Sequence, residues 1–300
     1  MFEYLIYLGA EFLATVFPLN LLYWIARRIA EVHHFFDGRG RAAVRENLRV
    51  MTGGSLDERA LNRAIRQTYY QFSRYLAEFF RMRRLDRRFF DSHVRIVGIE
   101  NVETALKHGN GVVVVSAHYS NWELGLAYLT MRGYPAYAIV APHRNKRVNA
   151  LFLKPRLSKG VRVISTDRAV EEGYKALRGN GILCVLADRV TTKGGVPTTF
   201  FGRMAVFPKG AAKFALGTHA PIVPGHIIRH PGNTFTLTFS EPIHTNDMQD
   251  DDESVRRLMS AYTRRLEDYV RRDPTQYGVF HRIWKDADNT NRDFHDRNSF

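Results

Sequence analysis

The stretch VVVVSAHYSNWELG at residues 112–125 decides the fold class of this 300-residue chain. Its run of valines is typical of a strand buried on both faces, and such strands belong to parallel sheets covered by helices. The apolar run ends in polar residues, and a helix is predicted to begin near Ser120. The stretch therefore predicts a strand, a turn and a helix of an α/β fold.

The same alternation of strands and helices continues from residue 93 onward. Predicted strands lie at 93–98, 112–117, 136–141, 161–165, 182–187, 222–228 and 234–239. Predicted helices lie at 120–132, 145–157, 168–179, 207–218 and 252–272. This order predicts a mixed, largely parallel sheet covered by helices. We predict three regions: a membrane-anchoring or interfacial helix at 1–30, a basic, helical, membrane-proximal segment at 31–92, and one α/β domain at 93–300.

Composition narrows the class of protein and of partner. Apolar residues make up 45% and charged residues 25%, which excludes a disordered or collagen-like chain. The single cysteine, Cys184, cannot form an internal disulfide and suits a reducing compartment. The net charge is +14, and residues 51–200 carry 24 basic against 12 acidic groups. Such a surface favours a phosphate-bearing partner: nucleic acid, an anionic bilayer or an acidic carrier protein.

The N-terminal segment from Tyr4 to Ala26 is almost entirely apolar. At about 1.5 Å per residue, a helix of this length could cross a hydrocarbon core of about 30 Å. Glu11 and Pro18 interrupt the segment, so an interfacial helix in one leaflet and a core helix remain as alternatives. If the segment spans, the arginines at 27 and 28 place the rest of the chain in the cytoplasm.

A helix is predicted over residues 58–90, and its end, FFRMRRLDRRFF at 79–90, interleaves phenylalanine with arginine. This pattern is typical of a helix that lies among lipid headgroups, with its rings toward the acyl chains. The alternative is a solvated basic face on a core helix. No nucleic-acid-binding motif accompanies the charge, so we expect no nucleic-acid partner.

The chemistry is predicted at the carboxyl end of the valine strand, where functional groups gather in α/β proteins. His118 follows that strand, and Glu123 lies in the first turn of the next helix. Glu123 is predicted to orient the imidazole, so that His118 takes a proton from a hydroxyl attacking an activated carbonyl. A capping box formed by Ser120 and Glu123 is the alternative, and it leaves His118 unexplained.

These residues resemble a known family. The spacing from His118 to Glu123 resembles the His-x4-Asp/Glu motif of glycerolipid acyltransferases, and is most similar to the late acyltransferases of lipid A biosynthesis. The resemblance continues, in the family's order, through DR at 188–189, FFGR at 200–203, PKG at 208–210, APIVP at 220–224 and HRIW at 281–284. It covers the chain from the N-terminal helix to about residue 285.

The resemblance implies an acyl transfer from acyl carrier protein, or coenzyme A, to a hydroxyl of a membrane glycolipid. It implies no covalent enzyme intermediate and no cofactor. His118 is then the base and Glu123 its partner, with Ser120 and Asn121 in support. The implied substrate-binding residues are Arg156, Asp188, Arg189, Arg203 and Lys209, of which Asp188 matches a supporting acidic position and the last two would bind acceptor phosphates.

The resemblance also implies partners and a location: acyl carrier protein, anionic lipid and a glycolipid acceptor, on the cytoplasmic side of the inner membrane. After the family's Asp a Gln is expected, whereas this chain has Arg189, and an added cation there alters which headgroup is accepted. A phosphatidylinositol mannoside or a lysophospholipid remains open as the acceptor. A non-catalytic lipid-binding protein is the alternative from a different class.

Other chemistries lack their motifs. Gly-x-Ser-x-Gly, which a nucleophile-elbow hydrolase requires, does not surround Ser116. A Walker phosphate loop does not occur in the sequence. The histidines are scattered and no cysteine pair exists, so no metal site is predicted.

Overall fold

A seven-stranded sheet forms the centre of the computed structural model, which describes residues 2–190 and 195–284. Nine strands lie in these ranges, of which β6 and β7 form a separate two-stranded sheet: β1 (Val94–Val97), β2 (Val112–Ser116), β3 (Ala136–Val140), β4 (Arg162–Ser165), β5 (Ile182–Leu186), β6 (Gly195–Phe200), β7 (Arg203–Pro208), β8 (Ile222–Arg229) and β9 (Phe235–Phe239). The sheet order is β1-β9-β8-β2-β5-β3-β4, and only the β8–β9 pair is antiparallel. The predicted mixed, largely parallel sheet is confirmed.

Helices cover both faces of this sheet. They are α1 (Phe2–Val16), α2 (Leu19–Phe36), α3 (Gly38–Met51), α4 (Glu58–Arg81), α5 (Arg87–His93), α6 (Ile99–Leu106), α7 (Trp122–Met131), α8 (Lys146–Leu157), α9 (Ala169–Arg178), α10 (Gly210–Thr218) and α11 (Asp252–Arg272). Alternate valines of β2 belong to different apolar clusters: Val113 to one and Val114 to the other. The valine run is thus buried on both faces, as predicted from its lack of alternation.

A two-stranded hairpin, β6–β7, was not predicted from the sequence. Pro197 lies within β6. Proline cannot donate to a ladder, but a two-stranded sheet tolerates it because both strands are edge strands. Phe201 and Gly202 join the strands with φ of 51° and 71°, and a two-residue type I′ turn requires positive φ at both positions. The helix predicted from residue 207 begins instead at Gly210.

The apolar N-terminal segment forms two helices rather than one. Helix α1 ends at Val16, and Pro18 lies immediately before α2. Proline has no backbone N–H and fits the start of a helix better than its interior, which accounts for the break. In the described ranges, 2–190 and 195–284, no helix combines the length and the apolar character needed to cross a bilayer. The prediction of one spanning helix over Tyr4 to Ala26 finds no support in this arrangement.

The helix predicted over 58–90 is also divided. Helix α4 ends at Arg81, a 3₁₀ turn covers Met82–Arg84, and α5 follows. Phe79, Phe80 and Phe90 are buried in the apolar core. The prediction that these rings point toward the acyl chains of a membrane is therefore wrong, because α4 and α5 pack them against the apolar core instead. Helix α4 packs against α1, α2, α3 and α8, and the N-terminal helices contribute side chains to the same two apolar clusters as the sheet.

Candidate active site

His118 and Asp188 lie at matching positions beyond two adjacent parallel strands. Ser116, at the end of β2, pairs in register with Leu186, at the end of β5. The Ala187 backbone N–H donates to the Ser116 carbonyl at 2.9 Å, which continues the pairing by one residue. His118 lies two residues after Ser116, and Asp188 lies two residues after Leu186. The carboxyl edge of the sheet therefore places the imidazole directly opposite the carboxylate.

Asp188 contacts His118 through both of its oxygens. The imidazole Nδ1 lies 2.8 Å from Asp188 Oδ1, and the His118 backbone N–H donates to Oδ2 at 2.9 Å. Burial raises the pKa of Asp188, but the charges of His118 and Arg189 and these hydrogen bonds outweigh it and lower the pKa to about 2. An ionised carboxylate only accepts hydrogen bonds, so Nδ1 carries the proton and Nε2 keeps its lone pair.

The surroundings of His118 favour a neutral imidazole. Burial and the nearby Arg189 charge lower the pKa of His118, and the opposing effect of Asp188 is smaller, so the pKa lies below the ordinary 6.5. The imidazole packs edge-on against Trp122, with ring centroids 4.9 Å apart. Its side chain is 19% exposed, whereas the Asp188 side chain has no exposed surface. The histidine is thus open to a substrate from one side and fixed by the carboxylate on the other.

The structure corrects the predicted partner of His118. Both oxygens of Glu123 accept from Arg156, whose Nε lies 3.0 and 3.1 Å away and whose Nη2 lies 2.5 Å away. This ion pair is buried, and Arg156 also donates to the Phe152 carbonyl at 3.3 Å. Glu123 therefore orients an arginine of α8, and Asp188 takes the place at the imidazole that the sequence assigned to Glu123.

Asp188 is also reassigned from the predicted substrate-binding set, because its fully buried side chain faces the histidine.

Burial lowers the pKa of Arg156, but the Glu123 carboxylate outweighs it and raises the pKa above the ordinary value. The guanidinium is accordingly a permanent cation inside the protein. A direct contact of Arg156 with substrate remains a prediction, as does the catalytic role of Glu123.

Asn121, rather than Ser120, caps the helix that follows His118. Its Oδ1 accepts from the Leu124 backbone N–H at 3.2 Å, and α7 begins at Trp122. Ser120 has a positive φ of 55°, and its backbone N–H donates to the Gln276 carbonyl at 2.8 Å. The alternative capping box between Ser120 and Glu123 is therefore not formed. Ser120 and Asn121 form the turn between His118 and α7, and their predicted support of the base remains a prediction.

The three remaining predicted cations are dispersed. Arg189 donates to the Gly278 carbonyl at 2.8 Å, and its charge acts on His118. Arg203 follows the hairpin turn and Lys209 precedes α10; both are exposed. They lie at opposite ends of β7, roughly 20 Å apart at about 3.3 Å per residue. Arg203 and Lys209 are therefore too far apart to form one phosphate site, although the sequence placed both in one predicted phosphate-binding segment. Binding of substrate by either one remains a prediction.

Two features of the site were not predicted. A buried ion pair joins Glu78 of α4 to Arg229 of β8, close to Asn121. The sequence signal for this ion pair was Glu78 itself, a single acidic residue inside the apolar run YLAEFF at 75–80. A second buried histidine, His226, is unsuited to be the base, because burial and the Arg272 charge lower its pKa to about 2. In the described part of the chain, no three His, Cys, Asp or Glu side chains are grouped to hold a metal ion.

Comparison with known proteins finds similarity to acyltransferases. The chain is 26% identical over 166 residues to the phosphatidylinositol mannoside acyltransferase of Mycolicibacterium smegmatis, covering 54% of this chain and 55% of that protein. It is 27% identical over 161 residues to the enzyme of the same name from Mycobacterium tuberculosis H37Rv, covering 52% and 51%. The chain thus spans about half the length of the relatives it matches.

The family comparison extends over nearly the whole chain. The model of bacterial lipid A biosynthesis acyltransferases matches residues 1–286, which include every strand of the sheet and both residues of the His118–Asp188 pair. The chain accordingly belongs to the bacterial lipid A biosynthesis acyltransferase family.

Proposed function

We propose that this enzyme transfers a fatty acyl chain from an acyl carrier protein thioester, or from acyl coenzyme A, to a hydroxyl of a membrane glycolipid. A lipid A precursor is the first choice of acceptor. The observation that carries the proposal is the His118–Asp188 pair, with a neutral imidazole that is open on its Nε2 side. The net charge of +14 favours both donor and acceptor, since acidic carrier protein and anionic lipid are each attracted to it.

The proposed mechanism uses His118 as a general base. Its Nε2 takes the proton of the acceptor hydroxyl as that oxygen attacks the thioester carbonyl carbon. The tetrahedral intermediate then expels the thiolate, which takes the proton back from the imidazolium. An ester and a free thiol result, and no bond to the enzyme forms. Asp188, ionised throughout, stabilises the imidazolium and keeps Nδ1 protonated.

A phosphatidylinositol mannoside is the second candidate acceptor. Both relatives carry that substrate in their names, at 26% and 27% identity. The two acceptors share a sugar hydroxyl near a phosphate, so the same base serves either. Arg189, with its charge beside His118, is the residue most directly placed to favour an anionic headgroup.

Replacing His118 tests the reaction. His118→Ala should lower acyl transfer by at least about a hundredfold, the usual scale for loss of a general base. Membranes containing either protein are incubated with a mixture of acyl carrier protein thioesters, and the glycolipids are analysed by mass spectrometry. A gain of one ester-linked acyl chain with wild type only is expected, and the fragment that carries the chain identifies the acceptor.

Parallel incubations with acyl coenzyme A and with total lipid extract complete this experiment. A gain with the coenzyme A donor alone would identify acyl coenzyme A as the donor and would still support the proposed acyl transfer. Equal gains with wild type and His118→Ala would contradict the role of the histidine. An absence of gain with every donor and lipid would contradict the proposed O-acylation of a glycolipid.

We further propose that the enzyme works at the inner membrane, on its cytoplasmic side, with α1 and α2 lying against lipid. In α1, exposed apolar side chains recur every three to four residues: Leu5, Leu8, Phe12 and Val16. In α2 the exposed apolar side chains are Leu21, Trp24, Ile29, Val32, Phe35 and Phe36. Large apolar patches are rarely left in water by monomeric proteins, and amphipathic helices bury such faces in the headgroup region.

The lipid-facing role of α2 is tested with vesicles of phosphatidylethanolamine and phosphatidylglycerol. The double substitution Trp24→Ser/Phe35→Ser should lower the vesicle-bound fraction at least about tenfold, since each ring loses more than 1 kcal/mol of apolar burial. Val170→Ser is the matched control, because Val170 is 70% exposed on α9 and Phe35 is 72% exposed. Cosedimentation measures binding. Unchanged binding of the double variant, or equal loss in the control, would contradict the proposal.

A further inference from the structure

A buried carboxylate, Glu78 of α4, lies near the site and takes no part in the proposed proton transfer. Arg229 of β8 binds it in a bidentate manner, with Nη1 and Nη2 each donating at 2.6 Å to a different oxygen. The exposed fractions of the two side chains are 4% and 3%. Burial raises the pKa of Glu78, but Arg229 and the other donors outweigh it and lower the pKa, so the carboxylate is ionised.

Two further donors complete the coordination of Glu78. The Tyr23 hydroxyl, from α2, donates to Oε1 at 2.5 Å, and the Asn121 amide donates to Oε2 at 2.7 Å. Asn121 has no exposed surface. Three separate elements, namely α2, β8 and the turn before α7, are therefore joined through one side chain.

The Asn121 side chain is fixed at both ends. Its amide nitrogen is held by Glu78, while its oxygen caps α7 at Leu124. The next residue, Trp122, packs on the His118 imidazole. Asn121 cannot shift without moving either the first turn of α7 or the ring that confines the histidine.

The same network reaches the turn from its other side. Gln276 exchanges two hydrogen bonds with the Arg229 backbone, each at 2.9 Å. The Gln276 carbonyl in turn accepts from the Ser120 N–H at 2.8 Å. Ser120 has positive φ, a conformation that a serine adopts only when its surroundings hold it. The turn from His118 to Asn121 is thus held at two consecutive residues by groups attached to the Glu78–Arg229 pair.

We propose that Glu78 is a positioning residue for the acyl transfer: through Asn121 it fixes the turn that carries His118, and through Tyr23 it connects that turn to helix α2. The inference rests on the proposed role of His118 as the base and is independent of the acceptor. Since displacement of a reacting group by about 1 Å can cost about a hundredfold in rate, a loosened turn should reduce kcat and leave KM nearly unchanged.

An exchange of the two side chains tests this role. In Asn121→Asp, two carboxylates face each other; in Glu78→Gln, the charge facing Arg229 is lost. The double variant Glu78→Gln/Asn121→Asp restores the bridge with its donor and acceptor exchanged, and an acidic cap at position 121 still suits α7. Each single variant should lower kcat ten- to a hundredfold, and the double variant should return to within about threefold of wild type.

Controls distinguish an effect on the position of His118 from a general loss of stability and from a failure of the proposed reaction. Glu103→Gln is the matched control, because the Glu103 carboxylate binds the Tyr134 hydroxyl at 2.5 Å on the surface, and it should leave kcat unchanged. Melting temperatures are recorded, and kcat is measured well below all of them. Wild type and His118→Ala are assayed in parallel: an inactive wild type contradicts the proposed function, whereas an active wild type makes the variants a test of Glu78.

The outcomes are distinct. Recovery of kcat by the double variant supports positioning, whatever its melting temperature. A folded double variant without recovery overturns it, as does a wild-type kcat in Asn121→Asp. If Glu78→Gln does not fold, Asn121→Asp decides, because it keeps the Glu78–Arg229 ion pair: a wild-type kcat overturns the inference, and a reduced kcat at unchanged KM supports it. Tyr23→Phe also keeps the ion pair and tests the connection to α2 by the same measurement.

Discussion

Replacing Asp188 with asparagine should lower kcat by about a thousand- to ten-thousandfold while the protein stays folded. The asparagine amide can donate to Nδ1 of His118, which moves the imidazole proton to Nε2 and removes the lone pair that receives the substrate proton. The side chain keeps its size, so packing around the buried position is preserved. Steady-state kinetics measure the loss and circular dichroism verifies the fold. Activity within tenfold of wild type would mean that Asp188 does not set the tautomer.

The pH dependence of activity provides a second test, because the direction of the shift is predicted for each variant. The base must be neutral, so kcat/KM of the wild type should rise with pH through a pKa below 6.5. Asp188 raises the pKa of His118, so Asp188→Asn should move this acid limb to lower pH. Arg189 lowers that pKa, so Arg189→Gln should move the limb to higher pH. Shifts of the same sign in both variants would contradict the proposed electrostatics.

Much of the fold follows from local sequence. The valine run, the polar residues after it and the alternation beyond residue 93 predict the strands and most helices of the sheet region within a few residues. The hairpin was missed because Pro197 conflicts with a strand, and only its edge position resolves the conflict. The break at Pro18 could have been predicted from the missing N–H alone.

The candidate site depends on contacts between segments that the local sequence pattern does not predict. His118 was identified because it ends a buried strand, and Asp188 ends another at the equivalent position. Their pairing depends on β2 and β5 being neighbours, which is a property of strand order that no single segment encodes. The spacing to Glu123 correctly placed that acid in the first turn of α7. It did not indicate that Arg156, from α8, would bind it.

The Glu123–Arg156 pair leads to the largest expected effect on stability. Both side chains are buried, at 3% exposure for Glu123 and 10% for Arg156. Arg156→Met leaves the Glu123 carboxylate buried without its cation. Glu123→Gln leaves the Arg156 guanidinium buried without its anion. Each should lower the free energy of unfolding by about 3–5 kcal/mol, the scale found when one partner of a buried pair is removed. Urea denaturation with matched m-values measures the change.

The double variant Glu123→Leu/Arg156→Met separates stability from catalysis. Apolar side chains of similar volume often replace a buried ion pair at little cost, so the free energy of unfolding should return to within about 1–2 kcal/mol of wild type. The Glu123 charge raises the pKa of His118, and without it the imidazolium of the transition state is less stable. We therefore expect activity to stay at least about tenfold below wild type even when stability recovers. Full activity in a stable double variant would assign Glu123 to the support of α7 alone, and leave Asp188 as the one acid that acts on the base.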